Sequence, residues 1–187
     1  MGAESWEHFV PFRTDFRAAL QDLQTEVFAR GQFHNPCAEI EFLEEMDFFA
    51  ATDGAREQML SEYGLSALRE PLARLGSQGL RKWLGDLSAA PGVGTREELA
   101  ALSCLSAEGT KSVLDMQGIS DETAPGLVRA LPTPEIAQLF GKERPTRIMV
   151  EQNQELYERI DRGHGICFAV YRQDLPDEIF FGGYSYD

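Results

Sequence analysis

Two apolar runs near the C-terminus constrain this chain more than any other feature. Residues 166–171 (ICFAVY) and 178–181 (EIFF) flank residues 173–177 (QDLPD), a segment of turn-forming chemistry. Runs of this length, rich in β-branched and aromatic residues and bounded by a turn, predict a β-hairpin. Pro176 and the flanking aspartates supply the turn residues. Apolar residues fall on both sides of these strands, which predicts burial on two faces. A sheet buried on both sides needs other elements to cover it, and the rest of the chain supplies helices.

Residues 6–12 (WEHFVPF) predict an edge strand, because Pro11 cannot donate to a central ladder. Thr14 is a candidate N-cap for the helix that follows. There Phe16, Leu20, Leu23 and Val27 recur at helical spacing up to Gly31. The opening of residues 39–49 alternates charged and apolar as a strand would, and its remainder equally fits a helical turn. From Asp53 to Leu105 the pattern is helical. Asp53 is the expected cap, Gly64 a stop, and Pro71 and residues 76–79 (GSQG) the dividers of two further helices. Thr95 and Glu98 have capping-box spacing. Short strands are predicted within 109–116 and 126–131. A brief helix should start at Thr133-Pro134 and close at Gly141, with a longer one from Pro145 to Arg162 carrying Met149, Leu156 and Ile160 inward.

These elements predict an α+β fold. A small antiparallel or mixed sheet, including the C-terminal hairpin, packs against a helix-rich middle region. At 187 residues the length suits one domain spanning 1–187, with a helical subregion over 53–105. The first helix is expected on the C-terminal sheet.

Charge narrows function. Seventeen basic residues against thirty-one acidic ones give a formal net charge of −14. Nucleic-acid affinity rests on cations that neutralise phosphates, so no nucleic-acid partner is expected. Anionic membranes are disfavoured for the same reason, and no run approaches the roughly 20 apolar residues that span a bilayer. The same charge steers a basic protein partner towards the chain. Three widely spaced cysteines, Cys37, Cys104 and Cys167, argue against a disulfide framework and for a reducing, cytoplasmic setting. The first residues lack a basic stretch leading into an apolar one, so no secretory leader is expected there.

The acidic run Glu39, Glu41, Glu44, Glu45 and Asp47 is threaded with Ile40, Phe42, Leu43, Phe48 and Phe49. Acids interleaved with aromatics suit a partner surface, with Glu39, Glu41, Phe42, Glu44, Glu45 and Asp47 as its residues. His34 and Cys37 share a His-x-x-Cys spacing with His164 and Cys167. Together these four form a candidate two-His, two-Cys zinc set, against an expectation of no cofactor. Either cysteine is alternatively a nucleophile beside an imidazole, although a structural thiol explains both as well. Residues 92–95 (GVGT) before a helix have the look of a phosphate cradle, but they lack the Walker lysine, and the capping box accounts for Thr95. The C-terminal aromatics either complete the sheet or line a pocket, with Gly182 and Gly183 allowing close backbone approach.

Residues 109–115 (GTKSVLD), Phe140-Gly141 with Arg144, Pro145 and Thr146, and Tyr171 with residues 176–185 (PDEIFFGGYS) carry a resemblance. Over its C-terminal two-fifths the chain resembles a loosely defined, functionally uncharacterised family of short acidic bacterial proteins. The resemblance implies an intact fold and no particular activity. With no convincing catalytic constellation, the expected function is a non-catalytic, acidic protein-binding protein, concretely an immunity or inhibitor protein for a basic partner. The competing classes are a small cytosolic enzyme using the Cys/His residues and a small-molecule sensor or carrier.

Overall fold

The computed structural model describes residues 4–34, 40–90, 92–106 and 109–185. The chain divides into two compact units, residues 1–33 with 110–187, and residues 34–109. The architecture is α+β, with one five-stranded mixed sheet in the first unit and helices in both. Among the described residues no helix is long and apolar enough to cross a membrane.

The sheet runs β1-β5-β4-β3-β2, built from β1 (Ser5–Pro11), β2 (Gly118–Ser120), β3 (Leu127–Ala130), β4 (Gly165–Arg172) and β5 (Leu175–Tyr184). β1 pairs antiparallel with β5 at the edge, as Pro11 requires, and β5 pairs antiparallel with β4. β3 joins β4, and β2 joins β3, in parallel. The predicted hairpin is present, but its turn is Gln173-Asp174, both at positive φ (52° and 64°). Two central residues with positive φ match the twist of the flanking strands. Pro176 therefore sits inside β5, opposite a register shift at Val170/Tyr171, and the Tyr171 N–H donates instead to the Pro145 carbonyl at 2.8 Å.

Period-2 alternation sends the hairpin's side chains to two cores. On one face Trp6, Val128, Cys167, Ile179 and Phe181 meet helix α1 (Phe16–Ala29) through Ala19, Leu20, Leu23 and Val27. On the other, Ile166, Phe168, Val170 and Phe180 meet Ile136, Val150, Leu156 and Ile160. The first helix thus lies on the sheet, as its apolar stripe predicts. Asp15, not Thr14, caps it, accepting from the Arg17 and Ala18 amides at 3.0 Å. The C-terminal aromatics complete the sheet. Gly183 and Gly165 face each other across β5 and β4, and the Trp6 indole lies over both.

Two predicted elements of this unit are corrected. Residues 109–116 hold no strand; Val113–Asp115 is a 3₁₀ turn. Ser112 Oγ accepts from the Leu114 amide and Asp115 Oδ1 from the Thr110 amide, local bonds that compete with a ladder. Gln24 of α1 locks this turn, donating to the carbonyls of Val113 (3.0 Å) and Met116 (2.6 Å). The long helix expected from Pro145 is two short ones. After α6 (Thr133–Phe140) come α7 (Arg147–Glu151) and α8 (Glu155–Glu158). The Asn153 side chain breaks the run by donating to the Leu139 carbonyl at 3.1 Å, and Val150 and Leu156 both reach the sheet core.

The helical unit contains α2 (Ile40–Glu45), α3 (Asp53–Glu62), α4 (Arg69–Ser88) and α5 (Arg96–Ser103). Residues 40–45 are thereby helical, closing the strand-or-helix alternative. α4 is interrupted at Gly76 (φ 68°), the predicted divider, while Pro71 sits in its first turn, where a missing N–H costs nothing. Leu43, Phe48, Leu60, Leu65, Leu68, Leu80, Leu84 and Ala101 form the core.

His8 of β1 bears on the acid stability of the sheet unit. Burial lowers its pKa from 6.5, against the opposing pull of Glu26 and Glu7. The unfolded chain then binds this proton more readily than the fold does. Stability is complete above about pH 6.5 and declines as pH falls through the lowered folded value. His8→Gln should flatten that decline, read as a smaller difference in urea midpoint between roughly pH 7.5 and 5.5.

Candidate acidic face of the helical unit

The acidic run is built on α2 and the turn behind it. Glu39 lies outside the described residues. Glu41, Glu44, Glu45 and Asp47 are exposed, whereas Leu43 and Phe48 are completely buried. Phe42 is half-buried and meets Tyr63 edge-on, at 5.6 Å between ring centroids. The aromatics therefore seat α2 on its own core, and the carboxylates form the outward layer.

The ion pairs show which of these charges are already neutralised. Arg81 binds Glu44 (Nη2–Oε1 2.5 Å), Arg74 binds Glu97 (2.6 Å) and Arg69 binds Glu57 (2.7 Å). Arg56 holds Asp53 and Lys82 holds Asp86, each at 2.5 Å. Residues 34–109 carry thirteen acidic and six basic residues, so pairing leaves a surplus of carboxylates. Among the described residues Glu41, Glu45, Asp47 and Glu62 are exposed and have no cationic partner.

One of these four, Glu62, lines a groove between the turn after α2 and α3, and Glu45 and Asp47 are the chain neighbours of its Met46. The groove measures about 310 Å³ and is lined by Met46, Ala55, Gln58, Met59, Glu62 and Tyr63. Glu41 lies one turn before Glu45. Tyr63 is 48% exposed, which is high for a large aromatic. Methionine side chains are flexible and polarisable, and such a surface adapts to an incoming apolar side chain. The groove residues Met46, Ala55, Met59 and Tyr63 are not among those the sequence singles out. Their signal was the i, i+4, i+8 spacing of Ala55, Met59 and Tyr63, which matters only once Met46 is known to face them.

The histidines and cysteines are placed very differently. Cys37 lies outside the described residues, and His34 is exposed in the helical unit. His164 is anchored before β4. Its N–H donates to the Asp161 carbonyl (3.1 Å) and its carbonyl accepts from Tyr184 (3.0 Å). Its Nδ1 lies 2.8 Å from the Arg162 carbonyl, which can only accept, so Nδ1 carries a proton and, in the neutral ring, Nε2 is the acceptor. Cys167 is fully buried in the α1-side core, whereas Ile166 and the cavity His164 lines are on the opposite side of the sheet. Burial pushes the Cys167 thiol up to about 12, and does the same to Cys104. A thiol so protonated is a poor nucleophile. Among the described residues no group of three or more His, Cys, Asp or Glu is placed to hold a metal ion.

No protein-family model, curated protein or solved structure matches this chain.

The loop before α5 is equally decided by its contacts. The Glu98 carboxylate accepts from the amides of Gly94 (2.7 Å) and Thr95 (2.9 Å), and Thr95 Oγ1 accepts from Glu98 N–H (3.2 Å). The donors a phosphate would use are taken by the capping box. For the thiols, iodoacetamide at mildly alkaline pH should leave Cys104 and Cys167 unmodified in the native chain and alkylate both in urea, as read by peptide mass spectrometry. Rapid native labelling of Cys167 would contradict its burial.

Proposed function

We propose that this chain is a non-catalytic binding protein that engages a basic protein partner through the acidic face of α2 and α3, as an immunity or inhibitor protein does. The observation that carries this reading is the set of exposed carboxylates without a cationic partner, Glu41, Glu45, Asp47 and Glu62, on α2, the turn after it and α3, the last of them in the wall of the Met46/Met59/Tyr63 groove. The complementary occupant is a basic amphipathic segment whose apolar side chain fills the groove while Lys or Arg meets the rim. Unpaired carboxylates concentrated on one face attract such a partner from a distance and repel acidic competitors. The free thiols of Cys104 and Cys167 support a reducing, cytoplasmic setting. The small-enzyme alternative draws no support from Cys167, whose thiol is sealed and protonated at neutral pH.

The test is affinity capture from the source cell with the native chain and with an E41K/E45K/D47K/E62K variant as parallel baits. A basic protein retained by the native bait, lost from the variant and released by salt is the expected result. Equal recovery on both baits would overturn the reading.

A further inference from the structure

The sheet unit carries a second candidate site, built from residues other than those of the acidic face. A cavity of about 160 Å³ opens on the side of the sheet that α6 and α8 cover. Its floor is apolar: Leu131, Leu139, Leu156, Ile160 and Ile166. Its walls carry two charges of each sign. Arg129 and Glu135 form an ion pair there. Arg159 and Asp161, either side of the floor residue Ile160, have no partner among the described residues. Thr123 and His164 complete the wall, and in the neutral imidazole the Nδ1–H bond to the Arg162 carbonyl leaves Nε2 as an acceptor.

Size and charge together restrict what fits. At about 160 Å³ the cavity is well below the roughly 300–1,000 Å³ of drug-sized sites, too little for a nucleotide or a peptide. A simple anion entering it meets Glu135 and Asp161, and a simple cation meets Arg129 and Arg159. A neutral apolar molecule covers the floor but offers Arg159 and Asp161 no charge-assisted contact. A molecule bearing both charges close together, with an apolar branch, satisfies the walls and the floor at once. We infer that this cavity binds a small zwitterion of the α-amino-acid type with a branched aliphatic side chain. The carboxylate lies towards Arg159, the ammonium towards Asp161 with His164 Nε2 as a further acceptor, and the side chain on the leucine and isoleucine floor.

The test is isothermal titration of the full chain with L-leucine, with isocaproate (no ammonium) and with isoamylamine (no carboxylate). Leucine is expected to bind at one site, with both single-charge analogues weaker by roughly tenfold or more, since each lacks a charge-assisted contact. Arg159 and Asp161 are exposed, so their replacement leaves the core intact. Arg159→Ala should weaken leucine by a similar factor and leave isoamylamine unchanged. Asp161→Asn should weaken leucine and leave isocaproate unchanged. No detectable leucine binding, or leucine binding no tighter than either analogue, would overturn the inference.

Discussion

Gly183→Ala should destabilise the sheet unit by about 3 kcal/mol, within the range for an overpacked core and at its upper end. A Cβ at this position would stand 2.5 Å from the His164 carbonyl oxygen and 2.8 Å from Trp6 Cε2. Neither neighbour has room to move. The His164 carbonyl accepts from Tyr184 N–H, and the indole is wedged over Gly165, where a Cβ would meet Trp6 Cη2 at 3.0 Å and Val128 Cγ2 at 3.1 Å. Gly85→Ala is the matched control. That residue lies inside α4 with nothing within 4 Å of the added methyl, so removing helical glycine should stabilise by up to about 1 kcal/mol. Urea unfolding followed by circular dichroism and tryptophan emission reads both. A Trp6→Leu background should return part of the Gly183→Ala loss, because the two sites are in direct contact.

The second large effect concerns association. Replacing Glu41, Glu45, Asp47 and Glu62 with lysine should slow binding of the basic partner by tenfold or more at low ionic strength, with a smaller change in dissociation. Met59→Ala should do the reverse. It removes an apolar contact in the groove and no charge, so the complex forms at nearly the native rate and falls apart faster. A charge variant that altered dissociation alone would mean that these carboxylates make short-range contacts and steer nothing.

Much of the fold could be read from period and punctuation. The hairpin, the edge strand ending in Pro11 and the first helix each carry an apolar pattern that one periodicity explains. The misreadings came where side chains override pattern. Asn153 diverts a helical run to bond Leu139, and Ser112 and Asp115 convert a predicted strand into a turn. The hairpin turn fell at Gln173-Asp174 because backbone twist there demands positive φ, although neither residue advertises it as Asn-Gly would. At the acidic face, the residue types were legible but not their directions. Phe42 and Phe48 alternate with acids in the chain, yet α2 and the turn after it direct them towards the core and leave the carboxylates outside. The groove needed Met46 and Met59, from separate elements, to be seen side by side.

In the proposed function, surplus carboxylates on α2 and α3 guide a basic partner to its seat. The most direct test is the association rate of the captured partner, measured by stopped flow as ionic strength is raised, for the native chain and the lysine variant. The expected result is a steep fall for the native chain, as screening shortens the reach of exposed charges, and a much flatter line for the variant. Superimposable lines, or a native rate indifferent to salt, would contradict it.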